Sequence, residues 1–174
     1  MKPIKLELMG LNSYTDRQTV DFEKLTSRGL FGIFGNTGSG KSTILDAITI
    51  ALYGDISRDT TDYINTSSDK AVVKFEFEIG SKNNRNRYFV ERTIKNTPTG
   101  GTKTTRVLLG EIKCDGNINV LADKVGEVKN KIQEIIGLTS DDFTRSVVLP
   151  QGKFSEFLKL QDRDRRKMLE RIFN

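Results

Sequence analysis

The sequence predicts an α/β lobe, in which a mixed sheet surrounds one apolar helix and an antiparallel group of strands forms a subdomain beside it. Three observations predict it. A glycine-rich stretch, GNTGSGKST at Gly35 to Thr43, lies between an apolar run, LFGIF at Leu30 to Phe34, and the apolar stretch STILDAITIALY at Ser42 to Tyr53. Val73, Phe75, Phe77 and Ile79 alternate with Lys74, Glu76 and Glu78, the period of a strand with one buried face. The segments RYFVERTI, TRVLLGEIK and INVLA follow, the last two joined across Asp115-Gly116, which suits a hairpin turn.

Taken in order, Lys5 to Met9 and Thr19 to Phe22 read as short strands, with Leu6 and Leu8 on one face. Leu30 to Phe34 is apolar throughout and is expected to be a buried central strand. Ser42 to Tyr53 is apolar almost all round, as a core helix is, and Gly54 stops it. Val125, Val128, Ile132, Ile135 and Ile136 share a helical face that ends at Gly137. A short helix follows, with Thr139 or Ser140 at its N-cap, Phe143 and Val147 inward, and an end before Pro150. QDRDRRKMLERIFN begins with acids and continues with bases, which complements a helix dipole, and is expected to be a helix cut at the C-terminus.

At 174 residues, 36% hydrophobic and 29% charged, the chain suffices for one domain with a sizeable core. It contains neither a run of 18 apolar residues nor the apolar core of a signal peptide, so a cytoplasmic protein without a membrane partner is expected. The one cysteine, Cys114, precludes an internal disulfide and an all-cysteine metal site, and the lack of histidine removes the usual general base. Charge is unevenly placed. Lys82, Arg85, Arg87, Arg92, Lys95, Lys103 and Arg106 face one acid, Glu91, so this segment carries +6 in a chain whose net charge is +5. Such a run is either a solvated hairpin surface or a polyanion-binding face.

GNTGSGKS fits G-x-x-x-x-G-K-[ST], the P-loop, in the strand-then-helix context that the motif requires. Gly38 and Gly40 let successive N–H groups turn toward phosphate oxygens, and the helix from Ser42 adds the positive end of its dipole. Lys41 is placed to reach the β- and γ-phosphates, Ser42 to coordinate Mg²⁺, and Thr43 to bond the α-phosphate. A self-contained P-loop enzyme also needs an acidic residue at the end of a second buried strand. None is convincing here. INVLAD is interrupted by Asn119, and Asn130-Lys131-Ile132 is followed by Gln133, so the guanine-specific N-K-x-D pattern is missing. These gaps disfavour a self-contained kinase or NTPase.

A second distinctive stretch is FTRSVVLPQGKFSEFL, Phe143 to Leu158. A glutamine after an extended segment, about a hundred residues beyond a P-loop, can offer its amide oxygen to Mg²⁺ and the attacking water. Together with the P-loop, LPQGKF resembles the Q-loop of ABC-type ATPases, and specifically of the SbcC family within the DNA-repair and structural-maintenance-of-chromosomes ATPases. LNSYTDRQTVDF, GNTGSGKSTILDAITIALYG, the strand VKFEFEI, LADKV, and FTRSVVLPQGKFSEFL before a charged helix fall in that family's order and spacing.

The resemblance implies an N-terminal lobe of an ABC-type head over residues 1–174. Within it are the P-loop at 35–43, a basic β-subdomain at about 71–121, a helical and Q-loop segment at about 123–160, and the start of a coiled-coil helix at about 162–174. It further implies ATP and Mg²⁺ as cofactors. Lys41 and Gln151 would be catalytic, and Ser42 and Gln151 metal ligands. Nucleotide would be bound by Asn12, Ser13, Gly35, Asn36, Thr37, Gly38, Ser39, Gly40, Lys41, Ser42, Thr43 and Gln151. Asn12 stands where relatives carry a basic residue. The implied partners are a C-terminal lobe of the same protein, which would bring the acidic strand and signature loop, a second head in a homodimer, an SbcD-like nuclease and double-stranded DNA. This segment alone would be nearly inactive, and nuclease chemistry would reside in the partner. The alternative within the superfamily is a chromosome-organising or recombination-mediator ATPase without a nuclease.

Overall fold

Alternating apolar residues along Lys2–Met9 (β1) and Lys70–Ser81 (β3) decide the sheet. Ile4, Leu6 and Leu8 are buried on the same face as Val73, Phe75 and Phe77, and the strands pair antiparallel with Leu6 opposite Phe75 and Leu8 opposite Val73. Gln18–Asp21 (β2) covers the other edge of β1, while Asn84–Asn96 (β4), Thr102–Ile112 (β5) and Ile118–Ala122 (β6) extend the sheet beyond β3. The order is β2-β1-β3-β4-β5-β6, with every pairing antiparallel. The two groups of strands expected from the sequence are thus one continuous sheet. The register sets the apolar positions of β1 opposite those of β3, so pairing the strands gives one apolar face under one helix. The computed structural model describes residues 1–26, 29–55, 62–81, 84–148 and the single positions 161, 163, 166 and 170.

That helix is Lys41–Tyr53 (α2), which buries Ile44, Ala47, Ile48, Ile50, Ala51 and Leu52 against the sheet. Gly54, left-handed at φ 81°, ends it and donates its N–H to the Ile50 carbonyl. A one-turn helix, Phe22–Leu25 (α1), is capped by Asp21 and sits beside β1. Val125–Ile136 (α3) packs Val128 and Ile132 on β5, β6 and α2, and Ser140–Phe143 (α4) takes Thr139 as its N-cap. Tyr53 fastens α2 to this helical end, its hydroxyl donating to the Leu138 carbonyl and its ring tilted against Phe143.

Four expectations are corrected. Leu30 to Phe34 is not a strand: it has no regular structure, with Leu30 86% and Phe34 93% exposed. A buried strand needs hydrogen-bonded neighbours, and among the described residues this run is paired with no strand. Val147 is 50% exposed although Phe143 is buried, because Thr144–Val148 continues α4 as a π-turn. In that wider coil, four residues fall short of one turn. Val125 is exposed at the first turn of α3. Arg92, counted with the basic surface, is fully buried. Lys82, the LPQGKF loop with Gln151, and all but single positions of the C-terminal charged helix lie outside the described residues.

Candidate nucleotide site

The P-loop leads directly into α2. Gly38 and Gly40 adopt left-handed φ values of 84° and 87°, the region that L side chains rarely enter, and Gly40 is the N-cap of the helix. A Cβ on Gly40 would lie 2.6 Å from the Ser13 hydroxyl and 2.6 Å from the Tyr14 ring. Close packing of loop on loop therefore requires glycine at this position. Ser39 N–H bonds the Asn36 carbonyl and Thr43 N–H the Gly40 carbonyl, which turns the chain into the helix.

Asn12, Ser13, Thr37, Gly38, Gly40, Lys41, Ser42 and Thr43 line one cleft of about 430 Å³. Lys41 Nζ donates to the Gly35 carbonyl at 2.8 Å and the Asn36 carbonyl at 2.7 Å, so the ammonium lies folded over its own loop. Asn12 Nδ2 donates to Thr43 Oγ1 at 3.1 Å. Since that bond uses a lone pair of the hydroxyl, the Thr43 proton stays available to an acceptor such as a phosphate oxygen. Of the twelve predicted site residues, the cleft brings together eight; Gly35 and Asn36 bind the Lys41 ammonium, Ser39 closes the loop, and Gln151 lies outside the described residues.

The donors fit a polyphosphate. Glycine-rich backbone, a lysine and the N-terminus of a thirteen-residue helix converge on it, and among the described residues the lining contains no carboxylate to repel it. Ser42, at the helix start, suits one Mg²⁺ position. Among the described residues no group of three or more histidines, cysteines or acids could hold a metal unaided.

Sequence reasoning named Asn12 but missed the residues that hold it and the cleft. Tyr14 packs on Gly40, its hydroxyl 3.4 Å from the Gly40 carbonyl. Asn12 has a left-handed φ of 45°, unusual for a residue with a side chain, and three partners fix it. Its N–H bonds the Tyr63 carbonyl, its carbonyl accepts from the Asn65 side chain, and its own amide reaches Thr43. Arg92 Nε and Nη2 donate to the carbonyls of Ala51 and Leu52 at the far end of α2. Only Arg92 left a signal: it shares parity with Val90 and Ile94 in RYFVERTI, the buried face.

A glycine-rich phosphate cradle opening a buried helix defines a P-loop nucleotide-binding lobe. The chain belongs to the AAA domain family, whose pattern it matches over residues 5–174. It is 52% identical over its whole length to the SbcC polypeptide of the nuclease SbcCD from Clostridium acetobutylicum, and 50% identical to that from Bacillus subtilis. It is 36% identical, over 97% of its length, to a probable DNA double-strand break repair Rad50 ATPase of Aquifex aeolicus. The similarity to SbcC expected from the motifs therefore holds across the chain, and it lies in the N-terminal region of those proteins. The chain spans about 15% of the length of the two SbcC proteins and 16% of the Rad50 protein. Among the described residues no helix is long and apolar enough to cross a membrane.

Proposed function

We propose that this lobe binds Mg-ATP as half of a composite hydrolysis site, in the cytoplasmic ATPase of an SbcCD-like assembly that acts on DNA double-strand breaks. The observation that carries the reading is the cleft of Asn12, Ser13 and the P-loop: it offers phosphate donors and the Ser42 hydroxyl, and among the described residues its lining holds no acid to complete a metal site or activate water. Gln151 is proposed to meet the metal and the attacking water from the Q-loop. Phosphates would draw Lys41 from the Gly35 and Asn36 carbonyls, replacing two neutral acceptors by charged ones. ATP supplies the phosphoryl group and Mg²⁺ its charge neutralisation; the lobe's own contribution is to bind, orient and hold the loop in register.

The exposed Leu30 to Phe34 run supports a missing partner. Five residues of central-strand character with Leu30 and Phe34 in solvent fit a strand to be completed by a C-terminal lobe, with head dimerisation and gating of DNA to an SbcD-like nuclease as its consequence.

The basic segment divides in three. Arg85 and Arg87 pair with Glu78 and Glu76, and Arg92 is internal. Lys70, Lys95 and Lys103 are exposed and directly opposite one another across β3, β4 and β5, and Arg106 joins them because a bulge between Lys103 and Arg106 keeps both on one face. None of the four is in an ion pair among the described residues. Like charges in register destabilise a sheet, so this row suits a polyanion, and duplex DNA is the one we assign to it.

The nucleotide reading is tested by equilibrium binding of ATP with Mg²⁺. Lys41→Ala is expected to weaken it at least about tenfold, since a charge-assisted phosphate contact is worth roughly 1.5–3 kcal/mol. Unchanged affinity would refute it.

A further inference from the structure

A continuous run of hydrogen bonds joins the cationic row to the nucleotide cleft. Thr102, the first residue of β5 and the neighbour of Lys103, donates its hydroxyl to the Tyr63 hydroxyl at 2.9 Å. The Tyr63 carbonyl accepts the Asn12 N–H at 2.9 Å, and Asn12 Nδ2 donates to Thr43 Oγ1 in the P-loop. Around this path the backbone is cross-braced: Leu11 bridges Ile64, Asn65 N–H bonds the Gly10 carbonyl, and a Cβ on Gly10 would strike the Lys70 carbonyl. Tyr63 itself is buried. One aromatic side chain thus has its ring in the core, its hydroxyl on the basic hairpin, and its backbone on a residue whose left-handed conformation points an amide at the phosphate site.

We propose that Tyr63 is a positioning residue that couples duplex DNA on the Lys70, Lys95, Lys103 row to ATP in the P-loop cleft, through Thr102, Asn12 and Thr43. The proposal rests on the nucleotide and DNA assignments above. Asn12 occupies a backbone region that needs external support, so its conformation depends on what holds it. A duplex across β3 to β5 immobilises the start of β5 and with it the Thr102 hydroxyl. Tyr63 and Asn12 then lose freedom that nucleotide would otherwise have to remove, and ATP binds more tightly. By linkage, ATP tightens DNA by the same factor.

The test is made in the full-length protein with a non-hydrolysable ATP analogue, Mg²⁺ and a blunt duplex oligonucleotide. In the unmodified protein, saturating duplex is expected to lower the analogue's Kd by about fivefold or more. Tyr63→Phe keeps the ring and the backbone carbonyl and removes only the bond from Thr102. It should bring that factor close to one, while analogue Kd without duplex and duplex Kd without analogue each stay within about twofold of the unmodified protein. Thr102→Val should do the same, and Thr102→Ser, which keeps the hydroxyl, should restore coupling. The proposal is overturned if the unmodified protein shows no coupling, if both Tyr63→Phe and Thr102→Val leave it intact, or if Tyr63→Phe weakens analogue binding equally with and without duplex. A duplex Kd that ignores Lys95→Glu with Lys103→Glu removes the DNA assignment and this proposal together; the other failures leave that assignment standing.

Discussion

Arg92 Nε on β4 donates to the carbonyl of Ala51 at 2.7 Å, so the largest fully buried side chain among the described residues is a cation anchoring the C-terminal end of the P-loop helix. Carbonyls in a helix's last turn have no partner inside the helix, and the macrodipole places negative potential there. The guanidinium answers both. Burial pushes the Arg92 pKa down to about 10, against the opposing pull of Asp55 and Tyr63.

Arg92→Ala is expected to cost about 3 kcal/mol or more, from the cavity and two stranded carbonyls. Arg92→Met fills most of the space and removes the buried charge, so it should cost clearly less. Urea unfolding at constant m-value separates them. An Arg92→Met variant as stable as the unmodified protein would contradict the clamp, because it too strands the Ala51 and Leu52 carbonyls.

Tyr53 gives a prediction in alkali. Burial, reinforced by the negative charge of Asp142, raises its phenol well above the ordinary 10.0. The folded phenol therefore keeps its proton where the unfolded one ionises. Its contribution is fully present below about pH 10 and is lost as pH rises above that value. Tyr53→Phe should cost about 1 kcal/mol at neutral pH, for the lost bond to Leu138, and should make the decline above pH 10 shallower. Stability curves of the two proteins with the same alkaline slope would exclude this role.

The cationic row predicts the salt dependence of DNA binding. With three or four phosphates met by Lys70, Lys95, Lys103 and Arg106, log affinity should fall against log salt with a slope of about −3. Lys95→Glu with Lys103→Glu should weaken binding and reduce the slope by about two units. Arg85→Gln with Arg87→Gln should change little, because those guanidiniums already face Glu78 and Glu76. The opposite ranking of the two double variants would place DNA elsewhere.

Local patterns made much of this lobe legible. The period of two in Val73, Phe75 and Phe77 marked β3, the all-round apolar stretch marked α2, and G-x-x-x-x-G-K-S with its helix marked the cleft. Leu30 to Phe34 misled because an apolar run encodes a tendency to be buried, while strand formation depends on a neighbour that sequence position does not reveal. Charge counting along the segment from Lys82 to Arg106 overstated the free basic surface for the same reason, since Arg92 is buried and Arg85 and Arg87 are paired. Which bases are free is decided by register, and the pairing of β3 with β4 sets Arg87 diagonal to Glu76, 3.0 Å away. Tyr63 and Asn65 reach Asn12 across some fifty residues, a contact no local pattern carries.

The central claim, that this lobe is half of an ATP site, is tested most directly by steady-state ATP hydrolysis with Mg²⁺. The purified 174-residue chain is compared with the same chain joined to the C-terminal region of its full-length protein. ATP binding but almost no turnover is expected of the chain alone, and turnover that appears on joining and is lost with Lys41→Ala. Sustained Lys41-dependent hydrolysis by the 174-residue chain alone would contradict it.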